Sequence, residues 1–363
     1  MITKKAFRIP AYLLSASAAL ILSACSSADE PGPGSNEQQN EIRFAANTEF
    51  SRAGDITTTN LRTFNVYAYT GNGTSPDMFM DNVTVTKSTS NVWTYDPVKY
   101  WPSKKAVDFY AFAPASWLGT NTPLAGVPYD ASEGTEDIVY AVSPDLTGGA
   151  GLSNAQVIFN FRHALSKLTV KMSSSNPELK VMVTNVALSH LNSKGNFHFP
   201  SGSTSDTPSE QTVGMWTDQN TAQIYMMHMS QVPSDRITLT STATDMGTTT
   251  VPGSRYLIPQ ELVWNNNGSG SDTYIAVMCS IYDTSTDAKL WPNANTPTEN
   301  VVEGSTFGDG ILKFPLSTSA FKEWKPGYHY VYNLVINSNS DMGAIEFGAP
   351  SVESFVNVET SYQ

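Results

Sequence analysis

Apolar residues recur at every second position in short runs along this chain from Glu41 onward, and no long run of 3.6-residue period competes with them. A two-residue period places alternate side chains on opposite faces of an extended backbone, so it dictates strands with one face turned to a core. Ile42, Phe44, Ala46 and Phe50 share one parity, with Arg43, Asn47 and Glu49 on the other. Residues 64–69, 107–112 and 157–161 continue the pattern, separated by the Gly, Pro, Asn and Ser clusters that punctuate turns. A second series follows Asn176-Pro177, over 180–188, 222–229, 236–242, 274–282, 311–316 and 328–336.

Many short strands with turn signals and little helix predict an all-β chain of β-sandwiches. The 363 residues, 40% hydrophobic and 11% aromatic, suffice for two ordinary domains, each with its own core. Apolar density falls between Thr169 and Glu178, where Ser173-Ser174-Ser175-Asn176-Pro177 intervenes. The expected boundary therefore lies near 176, with one sandwich over 41–175, a second over 176–342 and a terminal strand segment over 343–363.

The first residues read as a targeting segment. Lys4, Lys5 and Arg8 form a basic region, and Ala11–Ile21 is apolar but too short to span a bilayer. Leu22-Ser23-Ala24-Cys25 closes it and resembles a bacterial lipobox. That resemblance implies a lipoprotein signal peptide over 1–24, cleavage before Cys25 and acylation (palmitate among the chains) of that residue; an ordinary secretory site containing a cysteine is the alternative. Residues 25–40, rich in Ser, Pro, Gly and acidic groups without large apolar ones, form the expected lipid-anchored tether. Asp29 and Glu30 within it resemble the export signals of surface-exposed outer-membrane lipoproteins.

The 21 Lys and Arg against 33 Asp and Glu give a net charge of -12, and removal of residues 1–24, which carry three cations and no anion, leaves about -15. No broad basic surface is available for a phosphate backbone, which sets nucleic acid aside. With Cys25 acylated only Cys279 remains, so no intrachain disulfide or cysteine metal site is expected. Cys279 alternates with Ile275, Val277 and Ile281, as a small thiol on the inner face of a strand would.

Catalytic constellations are poor, and no enzyme, cofactor or metal is expected. His163, His190, His198, His228 and His329 are scattered, with no His-Glu-x-x-His and no Gly-x-Ser-x-Gly. Asp283, Ser285 and Asp287 alternate like calcium-loop ligands but lack that loop's glycine and distant glutamate, so a polar hairpin turn is the expectation. The glycine clusters at 71–74 and 148–151 are not framed by a strand and a helix, as a phosphate loop requires. Trp93, Tyr95, Tyr100, Trp101 and Trp117 cluster in the first half, and Trp216, Trp264, Trp291 and Trp324 dot the second. They either fill cores or offer exposed platforms for sugar faces, which keeps a lipid-anchored surface glycan-binding or adhesin protein as the alternative function.

Several segments stand out by their order along the chain. They are the lipobox at Cys25, EIRFAANTEF at 41–50 followed by Ser51-Arg52-Ala53, FNVYAYT at 64–70, VWTYDPVKYWP at 92–102 and VDFYAFAP at 107–114. FNFRHALSKLTV at 159–170, Leu257-Ile258-Pro259-Gln260 and Trp324-Lys325-Pro326-Gly327-Tyr328 complete the set, which in this order resembles the fimbrillin family, the subunits of type V pili. The resemblance implies two transthyretin-like β-sandwich domains, delivery to the cell outer membrane as a lipoprotein, and assembly of a surface fimbrium with other pilus subunits. It implies that an arginine-directed protease removes the first strand and that an extended segment of another subunit fills the groove, a case of β-augmentation. Ile42, Phe44, Ala46 and Phe50 would be the displaced side chains, worth on the order of 5–10 kcal/mol of burial. Arg52 is the expected processing site, beside Gly54 in a loop; Arg62 competes, and Arg43 would leave most of the strand in place. The alternative for Arg52 is a solvated turn residue that nothing cuts. Ile345, Phe347, Val352, Val356 and Val358 would form the donor segment, with Pro350 splitting it in two; the alternative is that they are the last edge strands of their own domain.

Overall fold

The computed structural model describes residues 41–48, 55–57, 59–71, 76–103, 105–148, 156–247, 251, 253–265, 270–319 and 321–337, with the backbone of 351–354. These residues belong to one compact unit, Gln39–Gln363. The strands are β1 (Arg43–Thr48), β2 (Thr63–Thr70), β3 (Asp77–Lys87), β4 (Trp93–Thr94), β5 (Val107–Ala113), β6 (Val127–Asp130), β7 (Val139–Leu146), β8 (Gln156–His163), β9 (Ser166–Ser173) and β10 (Leu179–His198). They continue with β11 (Met215–Met229), β12 (Ile237–Thr238), β13 (Thr244–Asp245), β14 (Ser254–Leu257), β15 (Tyr274–Asp283), β16 (Lys289–Trp291), β17 (Gly310–Pro315), β18 (Tyr328–Val335) and β19 (Ser351–Ser354). Two single-turn 3₁₀ segments, Pro233–Asp235 and Thr298–Asn300, are the helical elements among the described residues. The chain is all-β, as its two-residue period predicts.

The strands form three sheets stacked in a sandwich-like arrangement. The first has the order β1-β8-β7-β5-β2-β3-β4. The second runs β11-β10-β15-β16, with β6 and β12 also paired to β10 and β17 to β15. The third runs β13-β9-β18-β19, with β14 also on β9. The second and third sheets face each other across a core that includes Leu168, Val170, Val181, Val183, Ile275, Val277, Cys279 and Tyr332.

Strand β2 shows why the first sheet reads as it does. Phe64, Val66 and Ala68 enter one core, which β1, β5, β7 and β8 share. Tyr67 and Tyr69, on the other parity, enter an aromatic layer with Phe112, Trp117, Tyr140, Phe197 and Trp216. A strand buried on both faces has no polar side, hence the nearly unbroken run FNVYAYT. Residues of β5 and β7 divide in the same way, so the first sheet is sandwiched between its own core and this layer.

Several sequence expectations change on the structure. The strand expected at 236–242 shrinks to Ile237–Thr238, because Arg236 turns its guanidinium to Asp309 at 2.9 Å and Thr240 and Thr242 bond to each other in a turn. Strands β3, β4, β6, β7, β9, β13, β14 and β16 lie outside the expected runs. Of these, β3 alternates poorly because most of it is exposed or half-buried, and β7 is buried on both faces over Val139–Ser143. The segment around Asn176 lies between β9 and β10, and β9 pairs with β18 and β14.

Candidate functional site

Strand β1 is terminal in the described chain and terminal in its sheet. It lies parallel to β8, from Arg43 opposite Gln156 to Thr48 opposite Phe161. On its far side its beginning is tied down: the Ile42 amide donates to the Lys99 carbonyl at 2.9 Å, and the Tyr95 hydroxyl donates to the Ile42 carbonyl at 2.8 Å. Burial raises the Tyr95 pKa, so this hydroxyl stays a neutral donor. Gln156 Nε2 donates to the Phe44 carbonyl at 3.1 Å, and Asn47 Nδ2 donates to Asn160 Oδ1 at 3.1 Å.

The side chains of β1 follow the expected parity. Ile42, Phe44 and Ala46 are buried, whereas Arg43 and Asn47 are exposed. Phe44 is the centre of an aromatic set, stacked on Phe159 at 5.5 Å and edge-on to Phe64 and Phe109 at 6.4 and 6.0 Å. Tyr95 lies 5.1 Å away, tilted. Removing this strand would therefore open a slot through the middle of the first core. Phe50, Arg52 and Cys25 lie outside the described residues.

Beyond β1 the chain is pinned again at Asp55, in a buried polar cluster that sequence reasoning missed. Asp55 Oδ1 accepts from Lys167 Nζ at 2.8 Å and from the Tyr256 hydroxyl. The Lys167 Nζ also lies 5.6 Å from the centroid of the Tyr256 ring. Burial, then the hydrogen bond to Asp55, pushes the Tyr256 hydroxyl far above the ordinary phenol range, so it stays protonated and donates to that carboxylate. One residue on, the Ile56 amide donates to Asp137 Oδ2 at 2.8 Å, and His163 Nδ1 donates to the other oxygen of that carboxylate at 3.1 Å. Asp55, Asp137, His163, Lys167 and Tyr256 are all buried. No local pattern announces the cluster, since Asp55 and Lys167 are 112 residues apart.

The segment from Asp55 to Arg62 is held at several points. Asn60 Nδ2 donates to the Asp55 carbonyl at 2.6 Å, and Leu61 is buried in the first core. Arg62 presents an exposed side chain, but its carbonyl accepts from the Lys87 amide at 2.8 Å and the next residue opens β2.

At the other terminus, the backbone of β19 lies antiparallel to β18, with Ser351 opposite Val331 and Ser354 opposite Tyr328. Val352 thus belongs to the third sheet and β1 to the first, so the two expected exchange segments are not brought together within one chain. Ile345, Phe347, Val356 and Val358 lie outside the described residues.

The remaining candidates resolve into packing. Trp101, Trp117, Trp216, Trp291 and Trp324 are buried, and Trp93 and Trp264 are half-buried, which leaves Tyr100 as the exposed ring of the first cluster. A cleft of about 1690 Å³ opens between the 208–219 segment, Pro259–Glu261 and Glu323–Tyr328. Two of its polar lining residues bond within the chain: Gln260 accepts from the Asn192 amide, and Arg162 donates to the Thr212 and Asp206 carbonyls. His329 Nε2 is bonded to Thr169 Oγ1 at 2.9 Å within the third sheet. Cys279 is fully buried, and burial holds its thiol above the ordinary range. Asp283 Oδ1 accepts from the amides and hydroxyls of both Ser285 and Thr286, and Asp287 pairs with Lys180, which makes this a hairpin turn.

Solved structures with low-identity likeness include a candidate cell adhesion protein of Bacteroides uniformis ATCC 8492, 15% identical over 89% of this chain and 100% of that one, at a TM-score of 0.48. The tip fimbrial protein Mfa3 of Porphyromonas gingivalis, with C-terminal truncation, is 11% identical over 81% of this chain and 94% of its own, at 0.41. A fimbrial assembly protein of Parabacteroides distasonis ATCC 8503 is 12% identical over 87% and 95%, at 0.38. Among curated proteins none matches the chain. The fimbrillin-like family model matches residues 51–353, most of the chain, and the protein therefore belongs to the fimbrillin-like family.

Proposed function

We propose that this protein is a non-enzymatic structural or adhesive subunit of a surface fimbrium, anchored to the outer membrane through Cys25 until a cut at Arg52 releases β1. A segment of another subunit, residues 343–363 by preference, then enters the vacated slot beside β8. The observation that carries the reading is the placement of β1: it lies at the edge of its sheet, so it can leave without parting two other strands, yet its side chains fill the centre of a core. Loss of Ile42, Phe44 and Ala46 from that core forfeits about 5 kcal/mol of burial, comparable to the net stability of an ordinary domain. A stripped subunit would then be stable only with a replacement strand, and proteolysis becomes the trigger for assembly.

Five of the seven tryptophans are buried and serve as core packing, which favours the fimbrial reading over a glycan-binding one, for which Tyr100 is the exposed ring of the first cluster. The division into two sandwich domains, 41–175 and 176–342, is part of the same proposal.

The test uses the mature chain without its lipid. Brief treatment with an arginine-specific protease, followed by light scattering and native electrophoresis, is expected to yield a ladder of oligomers that appears only after the N-terminal fragment is lost. A cut product that remains a folded monomer overturns the strand-exchange reading.

A further inference from the structure

We infer that the buried Asp55–Lys167 pair is a latch that ends the removable segment, holding the chain from Asp55 onward in place and shielding the Arg62–Thr63 bond from the protease. The inference rests on the strand-exchange reading for its biological meaning, but its physical content stands alone. On the N-terminal side of Asp55, β1 is held by one parallel ladder, by hydrogen bonds of Ile42 to Lys99 and Tyr95 and of Phe44 and Asn47 to side chains of β8, and by its core side chains. On the C-terminal side, several described residues are fixed by separate contacts: Asp55 by Lys167 and Tyr256, Ile56 by Asp137, the Asp55 carbonyl by Asn60, and Leu61 by the core.

Extracting Asp55 would take from Lys167, whose side chain is 6% exposed, the carboxylate that its Nζ meets at 2.8 Å. Breaking a buried pair from one side is far costlier than the pair's own net worth, because the abandoned charge has no water to turn to. The latch therefore opposes any route that takes residues 55–62 out with β1. A protease must also draw several residues on each side of the scissile bond into its active site, so cleavage tracks the population of the locally opened chain. An exposed arginine side chain is thus not sufficient at Arg62. Leu61 before it is buried, and Phe64 after it is fully buried in the central strand β2. Arg52, three residues before Asp55, is the arginine whose cleavage frees β1 and leaves the latch closed.

The test is limited proteolysis of the mature, unlipidated chain with an arginine-specific protease, the new N-termini being sequenced over time. The parent chain is expected to give a terminus at Ala53 and none at Thr63. Arg52→Lys abolishes the first, and the exposed Arg62 is then cut at least tenfold more slowly than Arg52 was. Adding Lys167→Met to Arg52→Lys accelerates cleavage after Arg62 at least tenfold while the far-ultraviolet circular dichroism stays that of a folded β protein. Asp55→Asn keeps the shape and removes the charge; it takes the place of Lys167→Met if that variant does not fold. Rapid cleavage after Arg62 in Arg52→Lys alone, or no gain of it in the folded latch variants, overturns the inference. The two readings fail differently: an Ala53 terminus on a protein that stays monomeric sinks strand exchange and leaves the latch standing.

Discussion

Asp283 shows how much chemistry a single turn residue can hold. Its Oδ1 takes four donors, the amide and hydroxyl of Ser285 at 3.0 and 2.7 Å and those of Thr286 at 2.7 Å each. These bonds, the Ser285 hydroxyl first, favour the charged form and lower the carboxyl to about 2. The folded value is depressed below the unfolded one, so the stabilisation is complete above pH ~4 and is lost as pH falls through about 2. The stability difference between parent and Asp283→Ala is accordingly expected to be constant above pH ~5 and to shrink toward zero near pH 2, as read from denaturant melts across that range. A difference that does not change with pH would show that the turn does not depend on this charge. At this scale the sequence was legible where the partners are local. The spacing of Asp283, Ser285 and Asp287 predicts a polar turn, and the parity of Cys279 predicts its burial. Asp55 was not legible, because its partners lie on β9 and β14, 112 and 201 residues away, and a lone Asp after Gly54 reads as a loop residue.

Among the elements, β1 and β10 mark the two ends of that legibility. In β1 the alternation runs unbroken from Ile42 to Ala46, and the structure keeps it. In β10 the buried parity is odd at Val181 and Val183, even at Val186 and Leu188, and odd again from Leu191 to Phe197. Two extra residues cause the switches. One lies between Val183 and Asn185 against β15, and the other between Leu188 and Leu191 against β11, where His190 takes a φ of 60°. Each bulge rotates the following side chains to the other face; the expected run 180–188 spans the first and stops at the second, short of a strand that reaches His198. The regular strand is also the one with a testable role in exchange. Phe44→Ala removes a ring with four aromatic neighbours and is expected to cost the uncut subunit about 3–5 kcal/mol. After the protease has released β1, parent and variant become the same molecule, so their melts should coincide. A difference that survives cleavage would place β1 still in its slot.

Across the whole molecule, strand exchange requires that the tail can leave without unfolding the chain that lends it. The core between the second and third sheets is already filled by residues from Leu168 to Ile336, and β19 adds an edge beyond β18 at the rim of the third sheet. An edge strand with this placement presents one free ladder and can be given up more readily than a central one. Deletion of residues 343–363 is therefore expected to leave a folded monomer whose melting temperature falls by only a few degrees, and which, once cut at Arg52, can accept a donor but cannot be one. Such a subunit is a chain terminator. Mixed in equal amounts with cut parent protein, it should shorten the oligomer ladder, and alone it should give no ladder at all. If the deletion variant is unfolded, the tail belongs to its own domain; if it polymerises as readily as the parent, the donor strand lies elsewhere in the chain.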